Sequence, residues 1–181
     1  MKIQKLGLLI LVTGVLLSFA SCGGDPSDIQ SDGTNNPPEG GYYVTQYESA
    51  VPEFGRIALE YPEDWKLKED ITGADPRVLT LEVGSDREII RFTMTHEDAF
   101  YEAFEESYTK SGVLITDSGV PATLYYDPAA DSADIVRAFD YNPGTDTHEY
   151  YFAEILMSKE VYDANKDKVT NTLKSFKING G

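Results

Sequence analysis

The sequence predicts an α+β domain: a three-layer α/β/α sandwich built on a mainly antiparallel sheet of about 6–7 strands, with a helix on each face. Three observations lead there. Apolar and polar residues alternate in several short runs, the period-2 signature of half-buried strands. The loops between successive runs are short, and short loops join neighbouring strands antiparallel. One late run, His148 to Met157, is apolar on both faces apart from Glu154, as expected of a strand covered on both sides.

Tyr42 to Phe54 reads as a transition in which Tyr42, Tyr43 and Tyr47 pack as a short edge strand, hydroxyls in water. From Gly55, Ile57, Leu59 and Tyr61 point one way before Pro62-Glu63-Asp64-Trp65 turns the chain. Trp65, the single tryptophan, is expected to anchor the core after that turn. Arg77 to Val83 sets Leu79, Leu81 and Val83 on one face, and Glu88 to Thr95 does the same with Ile90, Phe92 and Met94. Gly84-Ser85-Asp86-Arg87 between them has the composition of a hairpin loop. Thr95 reads as the N-cap of a helix with acids in its first turn, carrying Phe100, Ala103, Phe104 and Tyr108 at helical spacing and closing at Gly112. Strands resume at Val113–Thr116, Ala122–Tyr126 and Ile135–Tyr141, and Asn142-Pro143-Gly144-Thr145 turns into His148–Met157. That last run, the longest strand expected, sets Tyr150, Phe152 and Leu156 against Tyr151, Ala153, Ile155 and Met157. Ser158 caps a final helix striped by Val161, Val169 and Leu173, and Lys174-Ser175-Phe176-Lys177-Ile178 pins the C-terminus.

Ahead of this domain lies a leader. Lys2 and Lys5 precede an apolar run from Leu6 to about Ala20, followed by Ser21, Cys22 and Gly23. A basic start, a short apolar stretch and small residues at the exit are the parts of a secretory signal peptide. A spanning helix needs about 20 apolar residues, so the run is short for crossing a bilayer. Small residues before a cysteine resemble a bacterial lipobox, with Phe19 where leucine is usual. Cys22 is therefore expected to be the lipid-bearing first residue of the mature chain. Residues 1–21 are read as a lipoprotein signal peptide, 22–41 as the lipidated cysteine with a disordered tether, and 42–181 as the globular domain. Gly23 to Gly41 holds five glycines, three prolines, four acids and one large apolar residue, Ile29. Such a stretch buries too little to offset its ordering entropy; as a coil it spans roughly 24 Å.

The chain has 181 residues with 15 basic and 31 acidic side chains. The leader contains two of the lysines and no acid, which leaves 13 basic residues against 31 acidic ones and a net charge of −18. Nucleic acid is excluded as a partner for so acidic a body. With the only cysteine lipidated, disulfides, thiolate metal sites and cysteine catalysis are excluded together.

Three landmarks carry a family resemblance. Tyr61-Pro62-Glu63-Asp64-Trp65 follows an opening strand, Gly119-Val120-Pro121-Ala122 leads a later one, and Ser175-Phe176-Lys177-Ile178 ends the closing helix. Together they resemble the PsbP-like fold, over roughly Phe54 to Asn179. That group contains extrinsic photosystem proteins, a Ran-binding nuclear import factor and many bacterial lipoproteins. The resemblance implies a three-layer α/β/α sandwich around an antiparallel sheet. It implies no functional residue, because the matching positions are structural.

Chemistry-bearing residues are sparse. His96-Glu97 and His148-Glu149 read as separate surface pairs on distant elements. Asp127, Asp131, Asp134, Asp140, Asn142 and Asp146 form the densest oxygen-rich region. Asp140-x-Asn142-x-Gly144-x-Asp146 departs from a calcium loop, with glycine one place early and Tyr151 where the last ligand belongs. It reads instead as a hairpin with solvated acids. Tyr125, Tyr126, Tyr141, Tyr150 and Tyr151 offer cross-strand pairs, and beside acids they make the one candidate patch for a sugar or cationic peptide. No catalytic, cofactor-binding or metal-ligating residue is assigned; Cys22, as a lipidation site, stands alone. The expected function is that of a non-enzymatic, membrane-anchored, extracytoplasmic lipoprotein that binds or supports another component of the cell envelope, a basic protein included. The alternatives are a carboxylate/histidine metal-dependent hydrolase and an acidic immunity or inhibitor protein.

Overall fold

The computed structural model describes residues 44–130, 135–141 and 148–179. The leader, Cys22, the tether, Tyr42, Tyr43 and the turn at Asn142–Thr145 lie outside the described residues.

The domain is α+β, with two mostly antiparallel sheets and two helices among the described residues. The larger sheet has seven strands. In chain order these are β3 (Lys66–Asp70), β4 (Arg77–Ser85), β5 (Glu88–Thr95), β6 (Thr109–Ile115), β7 (Pro121–Tyr126), β8 (Ala138–Asp140) and β9 (Tyr150–Leu156). Their order across the sheet is β3-β4-β5-β9-β8-β7-β6, every pair antiparallel. A smaller sheet joins β1 (Val44–Val51), β2 (Gly55–Pro62) and β10 (Lys177–Asn179) in the order β1-β2-β10. The helices are α1 (Asp98–Ser107) and α2 (Lys159–Ser175).

The period-2 patterns do what their spacing dictates. Leu79, Leu81, Ile90, Phe92 and Met94 are buried together with Ile57, Leu59, Ala153 and Ile155, and α2 adds Val169 and Leu173 to the same cluster. Phe152, of opposite parity on β9, joins Phe104 of α1, Tyr125 and Ala138 in a second cluster. β9 is thus apolar on both faces, as read from the sequence, and sits inside the sheet between β5 and β8. Trp65 is buried, its N–H donating to the Pro62 carbonyl at 3.0 Å. The β4–β5 hairpin turns at Asp86-Arg87, between the paired Ser85 and Glu88, and Gly84 lies just before it at a break in register, where its φ of +89° suits a residue without a Cβ. Ser158 caps α2, its hydroxyl accepting from the Val161 N–H at 3.4 Å.

Several expectations are corrected. A single sheet is expected, and β1 and β2 instead pair with β10 to make a second one. β3 went unseen because Lys66-Leu67-Lys68-Glu69-Asp70 is nearly all charge and owes its extended form to β4. Thr95 does not cap α1: it is fully buried as the last β5 rung opposite Tyr150, and the helix starts beyond it with Glu97 at the cap position. Gly112 does not close α1 either, since Tyr108 is already extended (φ −128°) and the chain passes straight into β6. β9 is shorter than His148–Met157 because His148 adopts φ +53°, outside the strand region; β4, with nine residues, is the longest strand. β8 likewise spans only Ala138–Asp140.

Candidate functional site

Register brings the two histidines to one rim. Thr95 of β5 lies opposite Tyr150 of β9, so His96 and His148 leave the same end of adjacent strands. The His96 backbone N–H donates to Asp75 Oδ2 at 2.9 Å, and its Nδ1 lies 3.2 Å from the same oxygen. Phe54 stacks on the imidazole at 4.2 Å between centroids and meets Tyr151 edge-on at 5.7 Å. His148 Nδ1 lies 3.2 Å from Asp98 Oδ1, which also accepts the Tyr150 hydroxyl at 2.7 Å. Tyr150 stacks on Tyr101 at 4.3 Å, and the Tyr101 hydroxyl donates to Asp140 Oδ2 at 2.7 Å.

A carboxylate at Nδ1 orients an imidazole and leaves Nε2 as the proton acceptor, the usual preparation for base or ligand work. Among the described residues each imidazole meets a single carboxylate. Among the described residues no group of three His, Cys, Asp or Glu side chains is placed to hold a metal ion. His148 is exposed as expected, whereas His96 is half-buried under Phe54.

The two aspartates feel this setting differently. Burial works to raise the Asp75 carboxyl, but hydrogen bonds from the His96 backbone, Thr95 and the His96 ring outweigh it and hold it below the ordinary range. Asp98 is lowered by the Tyr150 hydroxyl first and His148 second. A depressed folded-state pKa means stability present above the unfolded value, near 3.9, and lost as pH falls through the folded one. Asp75→Asn is therefore expected to cost about 1–2 kcal/mol at neutral pH, with the gap to wild type closing as pH falls below about 4. Urea unfolding at stepped pH reads this directly; a gap unchanged on the acid side would remove the charged bonds from the explanation.

Of the oxygen-rich region only Asp127 and Asp140 lie among the described residues. Asp140 is only 7% exposed and serves Tyr101, while Asp127 accepts the Ala129 N–H at 2.8 Å in a local turn. Asp131, Asp134, Asn142 and Asp146 lie outside the described residues. The expected tyrosine patch is mostly core: Tyr125, Tyr141 and Tyr151 are buried. Tyr141 donates to the Leu173 carbonyl at 2.7 Å, and burial pushes its phenol well above the ordinary value. Tyr126 and Tyr150 are half-buried, so they form no continuous aromatic surface.

Two concavities were not legible in the sequence. The larger, about 700 Å³, lies beside the smaller sheet against the β6–β7 loop and the end of α2. Glu48, Glu60 and Asp117 line it with Lys177 as the one cationic lining residue. Its wall is held by Ser175, whose hydroxyl accepts the Glu60 N–H at 2.8 Å and donates to the Glu60 carbonyl. The smaller, about 310 Å³, runs between α1 and β4–β5–β9, with Phe100, Phe104 and Phe152 on its apolar side. Arg91 grips Glu154 Oε2 through Nε at 2.9 Å and Nη2 at 2.6 Å, and the Tyr108 hydroxyl donates to Oε1 at 3.1 Å. Burial and then Glu154 hold the Tyr108 phenol above its ordinary value. These residues come from four separate elements, and nothing local in the chain signals the meeting.

No family model, curated protein or solved structure matches this chain.

Proposed function

We propose that this chain is a membrane-tethered, extracytoplasmic lipoprotein of the cell envelope, whose domain acts without catalysis to bind or support another envelope component. The observation that carries the reading is the leader: Lys2 and Lys5, the apolar run to Ala20, and the chain's only cysteine at Cys22. Order matters here, since a basic start, an apolar stretch and an exit cysteine must follow one another for export and acylation. Acyl chains contribute about 0.8 kcal/mol per buried methylene, and more than one chain makes the anchoring lasting. Among the described residues no helix is long and apolar enough to cross a membrane.

The domain is proposed to be PsbP-like, with α1 and α2 on opposite faces of the larger sheet. The parity of β9 supports this layering, since Phe152 packs with α1 and its neighbours Ala153 and Ile155 join the cluster that holds α2. The larger cleft suits a cationic partner segment that takes the place of Arg56 and Lys174, which pair with its Glu48 and Asp117, on an already acidic body.

Cys22→Ser is expected to abolish labelling by radioactive palmitate and to move the protein out of the membrane fraction. A serine variant that stays membrane-bound, from a parent that never takes up palmitate, would overturn the anchor.

A further inference from the structure

Edge strands expose a row of unpaired N–H and C=O groups, and proteins usually guard them with charge, brevity or proline. Four strands form the edges of the two sheets among the described residues: β1, β10, β3 and β6. β3 carries four charges in five residues, and β10 is only three residues long. β1 has Gln46 and Glu48 on its exposed side, tied to Glu60 and Arg56. β6 differs. From Gly112 to Ile115 it has no charge and no proline, and Val113 and Ile115 are 63% and 55% exposed. They are two of the four exposed large hydrophobics among the described residues. The lysine that begins the strand does not guard the edge: Lys110 reaches back to Glu105 at 3.3 Å and over the Tyr125 ring at 5.9 Å.

The direction of the free groups follows from the hydrogen bonds. The Thr116 N–H donates to the Val120 carbonyl, on the β7 side, at 3.0 Å. By alternation Leu114 and Gly112 also turn their backbone groups to β7, and Val113 and Ile115 turn theirs to the open edge. The bulge between Lys110 and Gly112 lies before this stretch and leaves it straight.

We infer that β6 pairs antiparallel with β6 of a second copy of this chain, centred on Leu114. A two-fold interface must be self-complementary, and the apolar residues of this strand make it so. Centring on Leu114 sets Val113 against the partner's Ile115, Ile115 against the partner's Val113, and Leu114 against the partner's Leu114. Moving the centre to Val113 would set Ile115 against the partner's Ser111. Moving it to Ile115 would set Val113 against the partner's Asp117. Hydrophobic matching selects register in paired strands, and it selects the first of these. The two bodies are both strongly acidic, so they repel at a distance that salt shortens, and pairing strengthens as ionic strength rises. The inference does not depend on the lipid anchor.

The test uses the full chain in mild detergent with Cys22→Ser, so that an engineered thiol is the only one. Leu114→Cys is expected to form an interchain disulfide under mild oxidation, because directly opposed residues of a non-hydrogen-bonded pair lie about 4.5 Å apart at Cα. Val113→Cys, about 8–9 Å from its own copy in this register, is expected not to. Leu114 is partly buried, so light-scattering mass of the Cys22→Ser chain supplies a readout free of engineered thiols. Its mass should double along a concentration series, at lower concentration in high salt, and Val113→Lys with Ile115→Lys should hold it at one copy. A single-copy mass throughout, or equal crosslinking at Val113 and Leu114, overturns the inference.

Discussion

Phe92→Ala is expected to lower the unfolding free energy by about 3–5 kcal/mol. Phe92 is 1% exposed in the centre of β5, stacked on Phe176 at 5.1 Å and on Tyr141 at 6.3 Å between centroids. Phe176 follows the end of α2, and Tyr141 follows β8, so one ring ties the larger sheet to both. Removing it deletes the transfer free energy of the side chain and leaves a cavity. The surrounding strands are pinned by β4 and β9 on either side and collapse only partly. Urea unfolding should show a lower midpoint with the slope unchanged. A loss below about 1 kcal/mol would mean that the core relaxes around the gap, contrary to the packing described.

Arg77→Met is expected to act in the opposite direction, raising stability by about 1–4 kcal/mol. Arg77 occupies the inward series of β4 with Leu79, Leu81 and Val83, and faces Met94 in the register. It is 7% exposed, and among the described residues its Nε and Nη1 have no hydrogen-bond partner. A guanidinium stays charged, so burying two of its nitrogens without hydrogen-bond partners is a standing cost. Methionine has similar length and no charge, and it matches the apolar neighbours in kind. Thermal and urea midpoints of the variant should both rise. A fall instead would show that the guanidinium is well satisfied where it sits and that its charge helps to organise this end of the sheet.

How far the fold could be read in advance varies with the range of the interactions. β4 and β5 were legible because Leu79, Leu81, Ile90, Phe92 and Met94 keep strict alternation on either side of a short polar turn. Trp65 was legible because its turn is made by residues three places away. β3 was not, since five mostly charged residues carry no strand preference of their own and take the form that β4 imposes. Thr95 has the chemistry of a cap and its hydroxyl does accept the Glu97 N–H, yet its ladder position opposite Tyr150 keeps it in β5 and the helix starts beyond it. The candidate site was harder still. Both histidines were visible, but Asp75, the partner of His96, is 21 residues away along the chain. Asp98, the partner of His148, is 50 away. The tyrosines looked like a surface because composition records their hydroxyls and not their burial.

By itself the order of residues determined what is local or covalent: the alternation that makes strands, the Ser158 cap and the acidic balance of the chain. Tertiary structure alone decided what depends on chain segments meeting: the second sheet closed by the last residues, the imidazole–carboxylate pairs on one rim, the buried tyrosines, and which edge was left open. The reason is range. A period or a cap is set by neighbours within a few bonds, whereas a Ser175 hydroxyl bridging to Glu60 across 115 residues exists only after the chain has folded.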